Sequence, residues 1–362
     1  MRILRVAQKL YPDVKGGGPY HVHAMSRDQA AMGHDVTVLT VRADPELPHV
    51  EEREGYTVVR YDRIVSPLGN DISPELVQFL VSQSDFDVIH AHSHLYFSTN
   101  VAGLKRTLDS VPLVITNHGL YSQSAPKLAF DIYLRTLGRW TFNRADLLFC
   151  YTEADERRLR SIGVSSRIEV VPNGIDTNRF TPAGSTSDLI EREGQVLLFV
   201  GRLVRGKRPD MLIKAFAEVL EEYPDAELYL CGDGPLRQKL VSLSNELSLE
   251  DSVHFLGQIP YDEMPQVYRS SDVFVLPSQA EGMPRTLLEA QANGLQIVTS
   301  DLEQLESALT PNVITFDGDD TKSLVDSLVT GIKRTPGQTT MTAHSWDCTV
   351  QRSTELIERL AR

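Results

Sequence analysis

The sequence predicts an α/β protein built from two doubly wound parallel-sheet domains. Three observations predict it. Short β-rich apolar runs alternate with helical patterns over most of the chain, the signature of right-handed βαβ units. The 362 residues exceed what one core usually holds. One polar stretch, "FTPAGSTSDLIEREG" at 180–194, breaks the alternation, as a linker would.

In the first series, strands are expected at 2–7, 35–41, 57–61, 87–91, 112–116, 146–150 and 168–171. Helices are expected at 19–32, 96–108, 126–144 and 153–162. In the second series the strands are 196–201, 226–231, 253–256, 272–276, 296–299 and 313–316, and the helices 207–222, 235–247, 261–269, 285–293 and 320–333. The closing stretch "SWDCTVQRSTELIERLAR" reads as a helix capped by Ser345. The domains are drawn at 1–178 and 179–344.

Composition excludes several classes. Hydrophobic residues make up 41% and charged residues 23%, so the chain is expected to be globular. The formal charge of −13 argues against a nucleic-acid partner. No apolar run approaches the ~20 residues of a membrane span. The opening "MRILRVAQKLYP" reads as a first strand rather than a signal peptide. Three cysteines, Cys150, Cys231 and Cys348, stand far apart, which suggests reduced thiols and a cytoplasmic protein.

In open α/β sheets, ligands bind beyond the carboxyl ends of the strands. The glycines of "QKLYPDVKGGGPYHVHAM" lead from the first strand into a helix. There Gly16, Gly17 and Gly18 either bring backbone amides close to an anion or form a plain turn. Neither the dinucleotide spacing nor the P-loop spacing is present. "FVGRLVRGKRPD" places Arg202 and Lys207 in a loop that enters a helix, where two cations suit a diphosphate or a solvated turn. "YLCGDGP" repeats the strand–glycine–helix logic, as the border of a base or ribose or as a structural turn.

His90, His92 and His94 alternate along a strand end. That is the spacing of a metal comb, but no carboxylate or cysteine completes a ligand set. His92 and His94 read better as ligand-facing, and His90 as packed. His118 in "VITNHGLYS" projects at another strand end, as a reactive or a structural histidine. In "EGMPRTLLEAQANG", Pro284 sits at the start of a helix. The amides of Arg285, Thr286 and Leu287 are expected to face an anion there. Glu281 stands before that helix and Glu289 on its side, eight positions on. Two carboxylates around an anion site suit a ligand with a central diphosphate and a diol at each end, which is a nucleotide-sugar. The bland alternatives are a loop charge and a helix surface charge.

These motifs, in this order, resemble the retaining glycosyltransferases of the GT-B fold, the large sucrose and mannosyl transferase-like family 4, group 1. The resemblance rests on "GGGPYHVHAMSRDQAAMGHDVTVLT", "DVIHAH", "TNHG", "VVPNGIDTNRFTP", "FVGRLVRGKRPDMLIKAF", "CGDGPLR", "VHFLGQIPYDEMPQVYRSSDVFVLPS" and "EGMPRTLLE". It implies two Rossmann-like domains facing a cleft, with the helix at 345–362 returning to the first. It implies that Gly16 and Gly17 lie against the donor, and that Arg202 and Lys207 grip its diphosphate. Glu281 would bind the transferred sugar, Glu289 the ribose, and Gly257, Gln258 and Ile259 would meet the base. His118 would stand beside the reacting sugar.

Three departures are visible: "EGMP" in place of glutamate–glycine–aromatic–glycine, Gln296 where proline is usual with no later glycine pair, and Gly18–Pro19 after the first glycines. No cofactor and no metal are expected, because Arg202, Lys207 and helix dipoles can stabilise a leaving diphosphate, and the acceptor is expected to be a sugar, a glycolipid or a lipid-linked glycan. The stretch 124–146 carries Lys127, Arg135, Arg139 and Arg144 among apolar residues. It reads either as a helix packed on the sheet or as one that touches the inner face of a membrane. Alternatives are an epimerase of the same fold and a non-catalytic nucleotide-sugar-binding protein.

Overall fold

The structure is a computed structural model that describes residues 1–93, 95–121, 127–191, 194–306, 313–334 and 344–362. His94 and residues 124–126, singled out above, lie outside them. The chain divides into two compact units, Met1–Pro172 with Asp347–Arg362, and Asn173–Trp346.

The first unit contains β1 (Arg2–Val6), α1 (Gly17–Ala31), β2 (Asp35–Val41), β3 (Val50–Arg53), β4 (Tyr56–Tyr61), α2 (Pro74–Ser82) and β5 (Val88–His92). It continues with α3 (Phe97–Leu108), β6 (Leu113–Thr116), α4 (Lys127–Tyr133), α5 (Arg139–Phe142), β7 (Leu147–Cys150), α6 (Glu153–Ser161) and β8 (Ile168–Val170). The eight strands run in the order β3-β4-β2-β1-β5-β6-β7-β8. Every pairing is parallel except β3 with β4. One apolar layer (Leu4, Ile89, Leu113, Leu148 and the helices over them) fills one face. Ile3, Val36, Val88 and Val114 pack with Leu356 and Ile357 of the C-terminal helix on the other.

The second unit contains β9 (Val196–Val200), α7 (Pro209–Val219), β10 (Glu227–Cys231), α8 (Arg237–Glu246), β11 (Val253–Gly257) and α9 (Met264–Arg269). Then follow β12 (Val273–Leu276), α10 (Arg285–Ala292), β13 (Gln296–Ser300), β14 (Ile314–Phe316) and α11 (Thr321–Lys333). The strand order β11-β10-β9-β12-β13-β14 is all parallel. The direction of winding reverses between β9 and β12, and in the first unit between β1 and β5. Those reversals open a crevice at the carboxyl ends of the strands, where this architecture takes its ligands.

Several expectations need correction. β3 and α2 were not foreseen. The 126–144 helix breaks into α4, a π-helical turn at Leu134–Gly138, and α5. The 180–194 stretch is no free linker. Phe180 is buried, Ser187 donates its amide to Ser270 Oγ at 2.8 Å, and Arg269 holds the Ser185 carbonyl at 2.7 Å. Asn173–Asn178 goes with the second unit rather than the first. Gln296 donates its backbone amide to the Asp272 carbonyl at 3.0 Å. A proline there has no such proton. Gly18 and Pro19 form part of the first turn of α1.

Candidate functional site

In the second unit the switch point brings two loops together. After β9 the chain passes Gly201 and an exposed Arg202 into a short 3-10 turn, Arg205–Lys207. After β12 it passes Ser278 and Glu281 before α10. Gln279 donates its amide to the Gly206 carbonyl at 2.8 Å, joining the loops. Lys207 Nζ donates to Glu281 Oε1. Their side chains are 12% and 3% exposed, so this pair is largely withdrawn from water. The sequence reading gave the two residues separate tasks, diphosphate and sugar; the structure makes each the other's counter-ion.

Glu289 is not a surface charge. It is buried on α10, with both oxygens engaged. Tyr261 donates to Oε1 and Tyr268 to Oε2, each at 3.0 Å. Arg285, one turn earlier, lies 3.7 Å from the carboxylate. Its guanidinium also holds the Gly174 carbonyl at 2.8 Å and the Tyr261 hydroxyl at 2.9 Å. Burial pushes the Glu289 carboxyl above its ordinary value, and Arg285, Tyr268 and Tyr261 pull it partly back. A carboxylate has about four acceptor positions, so two bound tyrosines leave part of its acceptor capacity unused. The two tyrosines were missed. Tyr268 had a signal, because a tyrosine on an otherwise apolar helix face needs a partner for its hydroxyl; Tyr261, in the turn before α9, had none.

The start of α10 also differs in detail. Pro284 is the N-cap, and the Leu287 amide turns back to the Pro284 carbonyl at 3.2 Å. Leu287 therefore does not face an anion; Thr286 remains half-buried at the helix start. Arg208, in a left-handed conformation, pairs with Asp319. The second glycine turn is structural. A Cβ on Gly232 would lie 1.9 Å from the Gly201 carbonyl oxygen, and one on Gly234 2.5 Å from that of Leu203. The two turns interlock through Leu203 N to Asp233 O at 2.9 Å. Gly257 has a positive φ of 71° and its carbonyl accepts from Gly232, while Gln258 beyond it is exposed and Ile259 half-buried.

In the first unit, Gly16 takes φ 144° as the N-cap of α1, and Gly17 opens the helix. The loop before them is tied down by charge. Asp13 binds Arg53 at 2.9 Å and Arg60 at 2.8 Å, and Arg53 also holds the Tyr11 carbonyl at 3.0 Å. Glu51 completes the cluster on both arginines. The unforeseen strand β3 thus positions the glycine loop.

His118 follows β6 and is half-buried. Its Nδ1 meets the Tyr151 hydroxyl at 2.7 Å, and its Nε2 meets His92 Nδ1 at 3.1 Å. His21 stands edge-on to the ring at 5.1 Å. Burial pushes the His118 imidazole down to about 4, so the neutral form persists at neutral pH. Tyr151 directly follows β7, another strand end, and was overlooked. His90 is packed, as read. Among the described residues no cluster of His, Cys, Asp or Glu is arranged to hold a metal. Cys150 and Cys231 are buried free thiols, and Cys348 is an exposed one. No described helix is long and apolar enough to cross a membrane.

Comparison with known proteins agrees on the family. The model for glycosyl transferases group 1 matches residues 185–335, and that for Glycosyltransferase Family 4 matches residues 15–179. The chain is 30% identical over 268 residues to the UDP-Gal:alpha-D-GlcNAc-diphosphoundecaprenol alpha-1,3-galactosyltransferase of Escherichia coli, covering 69% of this chain and 67% of that one. It is 30% identical over 332 residues to a D-inositol 3-phosphate glycosyltransferase of Corynebacterium aurimucosum, covering 81% and 77%. Among solved structures, sucrose-phosphate synthase of Thermosynechococcus elongatus aligns with a TM-score of 0.83 at 20% identity, over 99% of this chain and 98% of its own. An Anabaena protein, Alr3699/HepE, in complex with UDP-glucose aligns at 0.75 with 20% identity, over 100% and 98%. These likenesses show the GT-B fold.

Proposed function

The chain belongs to the glycosyltransferases of family 4, group 1, and on that premise we propose that it moves a sugar from a nucleoside-diphosphate sugar with retention of configuration and without a metal. The observation that carries this reading is the Lys207–Glu281 pair at the switch point, with Glu289 eight residues further on. Lys207 and Arg202 would meet the charge that grows on the leaving diphosphate, in a site partly shielded from water. Glu281 would accept from a sugar hydroxyl and Glu289 from the ribose. The bond from the anomeric carbon to the phosphate oxygen breaks, and a bond to the acceptor oxygen forms on the same face. The acceptor's proton passes to the departing phosphate oxygen. No side-chain nucleophile and no cofactor are required.

Relatives guide the choice of substrates. The Escherichia coli protein is named for a UDP-sugar donor and a lipid diphosphate acceptor, and the Anabaena structure contains UDP-glucose. A uridine donor and a glycolipid or lipid-linked acceptor are therefore the first to test. Supporting the lipid, Leu128, Ile132 and Leu137 are exposed beside Arg135 and Arg139. A melting panel of UDP-, GDP- and ADP-sugars tests the donor, since a ligand at 100 times its dissociation constant adds ~2.7 kcal/mol. The expected result is stabilisation by one base, release of the free nucleoside diphosphate on turnover, and activity that survives EDTA. Activity lost to EDTA and restored by magnesium would overturn the metal-free mechanism. A product of inverted anomeric configuration would overturn retention.

A further inference from the structure

Beneath α1, a row of buried polar side chains crosses the first sheet. Thr354 of the C-terminal helix accepts from Gln29 Nε2 at 2.9 Å. Gln29 Oε1 accepts from Arg5, which also donates to Ser26 Oγ at 2.9 Å and to His90 Nδ1 at 3.4 Å. His90 Nε2 meets Thr116 Oγ1 at 2.8 Å. The His90 ring lies 4.4 Å from that of His92, and His92 lies 5.3 Å from His118 in a stacked arrangement. Arg5 is fully buried, and the three acceptors it meets here are neutral.

The partners decide where the protons sit. Arginine only donates, so His90 Nδ1 is the acceptor and His90 carries its proton on Nε2, toward Thr116. His92 Nε2 is buried and has no hydrogen-bond partner among the described residues. A buried N–H left without an acceptor is rarer and costlier than an unused lone pair. His92 therefore keeps its proton on Nδ1 and donates it to His118 Nε2. The remaining His118 proton then sits on Nδ1, facing Tyr151.

We propose that His92 is a positioning residue for His118, fixing it as the neutral Nδ1–H tautomer in one ring orientation. This rests on the reading that His118 stands beside the transferred sugar. Glycosyl transfer develops positive charge at the anomeric carbon. An imidazolium there would repel it, whereas a neutral ring with a fixed dipole does not. Burial, with Arg5 adding to it, also lowers the His90 and His92 imidazoles well below their ordinary value.

The test compares His92→Phe, which removes the donated proton, with His92→Asn, whose amide restores a donor near the place of Nδ1. Imidazole nitrogen NMR shifts of the ligand-free protein, assigned with His118→Gln, report the tautomer. Turnover is measured with the nucleotide-sugar that the melting panel selects. The wild type should show a single Nδ1–H form at His118. His92→Phe should show a mixture, with kcat lowered toward the ~10²-fold that a misplaced reacting group costs and donor KM within about twofold. His92→Asn should recover both readouts. An Nε2–H form in the wild type, or unchanged kcat in a folded His92→Phe, overturns the proposal. Wild-type turnover in His118→Phe instead removes the reading of His118 beside the sugar, while the shifts still judge the tautomer. If His92→Phe melts at the assay temperature, the wild-type spectrum and His92→Asn decide alone.

Discussion

Lys207 and Glu281 reach each other from loops 74 residues apart in sequence, and each is the other's buried counter-ion. Removing one partner of such a pair strands the other, at a typical cost of ~3–5 kcal/mol. Lys207→Met should therefore melt well below wild type. Lys207→Met with Glu281→Gln should melt above Lys207→Met alone, because no stranded charge remains. Equal melting of the single and the double variant would show that the pair is not coupled.

The same pairing predicts the sign of a binding change. Glu281→Gln releases Lys207 from its counter-ion, so the free nucleoside diphosphate should bind as well as or better than in wild type. Transfer should fall, because the sugar loses an acceptor that the nucleotide product does not contain. Calorimetric titration with UDP, beside turnover, separates the two. Weaker UDP binding by a folded Glu281→Gln would place Glu281 on the nucleotide instead.

Glu289 predicts a pH profile. Its carboxyl is raised above the ordinary value of 4.5 in the folded state. A raised carboxyl binds its proton more tightly when folded, so its stabilising contribution is complete below the unfolded value and is lost as pH rises through the folded one. Glu289→Gln abolishes that loss. The gap in urea midpoint between Glu289→Gln and wild type should shift in favour of the variant from pH 4.5 upward. Parallel profiles would show that the tyrosines and Arg285 fully offset the burial.

Much of this was legible in the sequence. Strand and helix periods predicted both sheets, because parallel βαβ units repeat the same apolar pattern, and the strand-end rule led directly to Lys207, Glu281 and His118. What stayed hidden was set by contacts between distant segments. Nothing near Asp13 announces Arg53 and Arg60, which reach it from a hairpin some forty residues on. Glu289 reads as a ribose ligand or as a surface charge, and its burial shows only once α9 brings Tyr268 over it. The 180–194 stretch is polar enough to be a linker, yet its backbone groups find partners on Arg269 and Ser270.

The glycines separate by what a methyl group would meet. At Gly232 it would strike the Gly201 carbonyl, and φ is 141°. Gly232→Ala should lower the melting temperature sharply. At Gly17 nothing lies within 4 Å and φ is not positive, so Gly17→Ala should fold as wild type does. If the Gly17 amide faces the donor, that variant should still bind the nucleotide-sugar more weakly. Wild-type affinity in Gly17→Ala would leave the glycine without a ligand-facing role.

Asp13 makes the last prediction. Its side chain is 4% exposed, and it joins Arg60, which is fully buried, to Arg53. Asp13→Ala leaves Glu51, 28% exposed, as the nearest balancing carboxylate in that cluster. A buried cation that loses a partner costs ~3–5 kcal/mol. The surface pair Lys333–Glu222, with side chains 57% and 53% exposed, provides the contrast, and Glu222→Ala should leave the urea midpoint close to that of wild type. The loss at Asp13 should also reach the ligand, because Arg53 holds both Asp13 and the Tyr11 carbonyl just before Gly16. In Asp13→Asn, which keeps the shape and one acceptor oxygen, stability should fall less and donor KM should still rise. Urea melts of the three variants, with donor KM for Asp13→Asn, check this. An Asp13→Ala protein as stable as Glu222→Ala would mean that β3 and Glu51 hold the glycine loop without it.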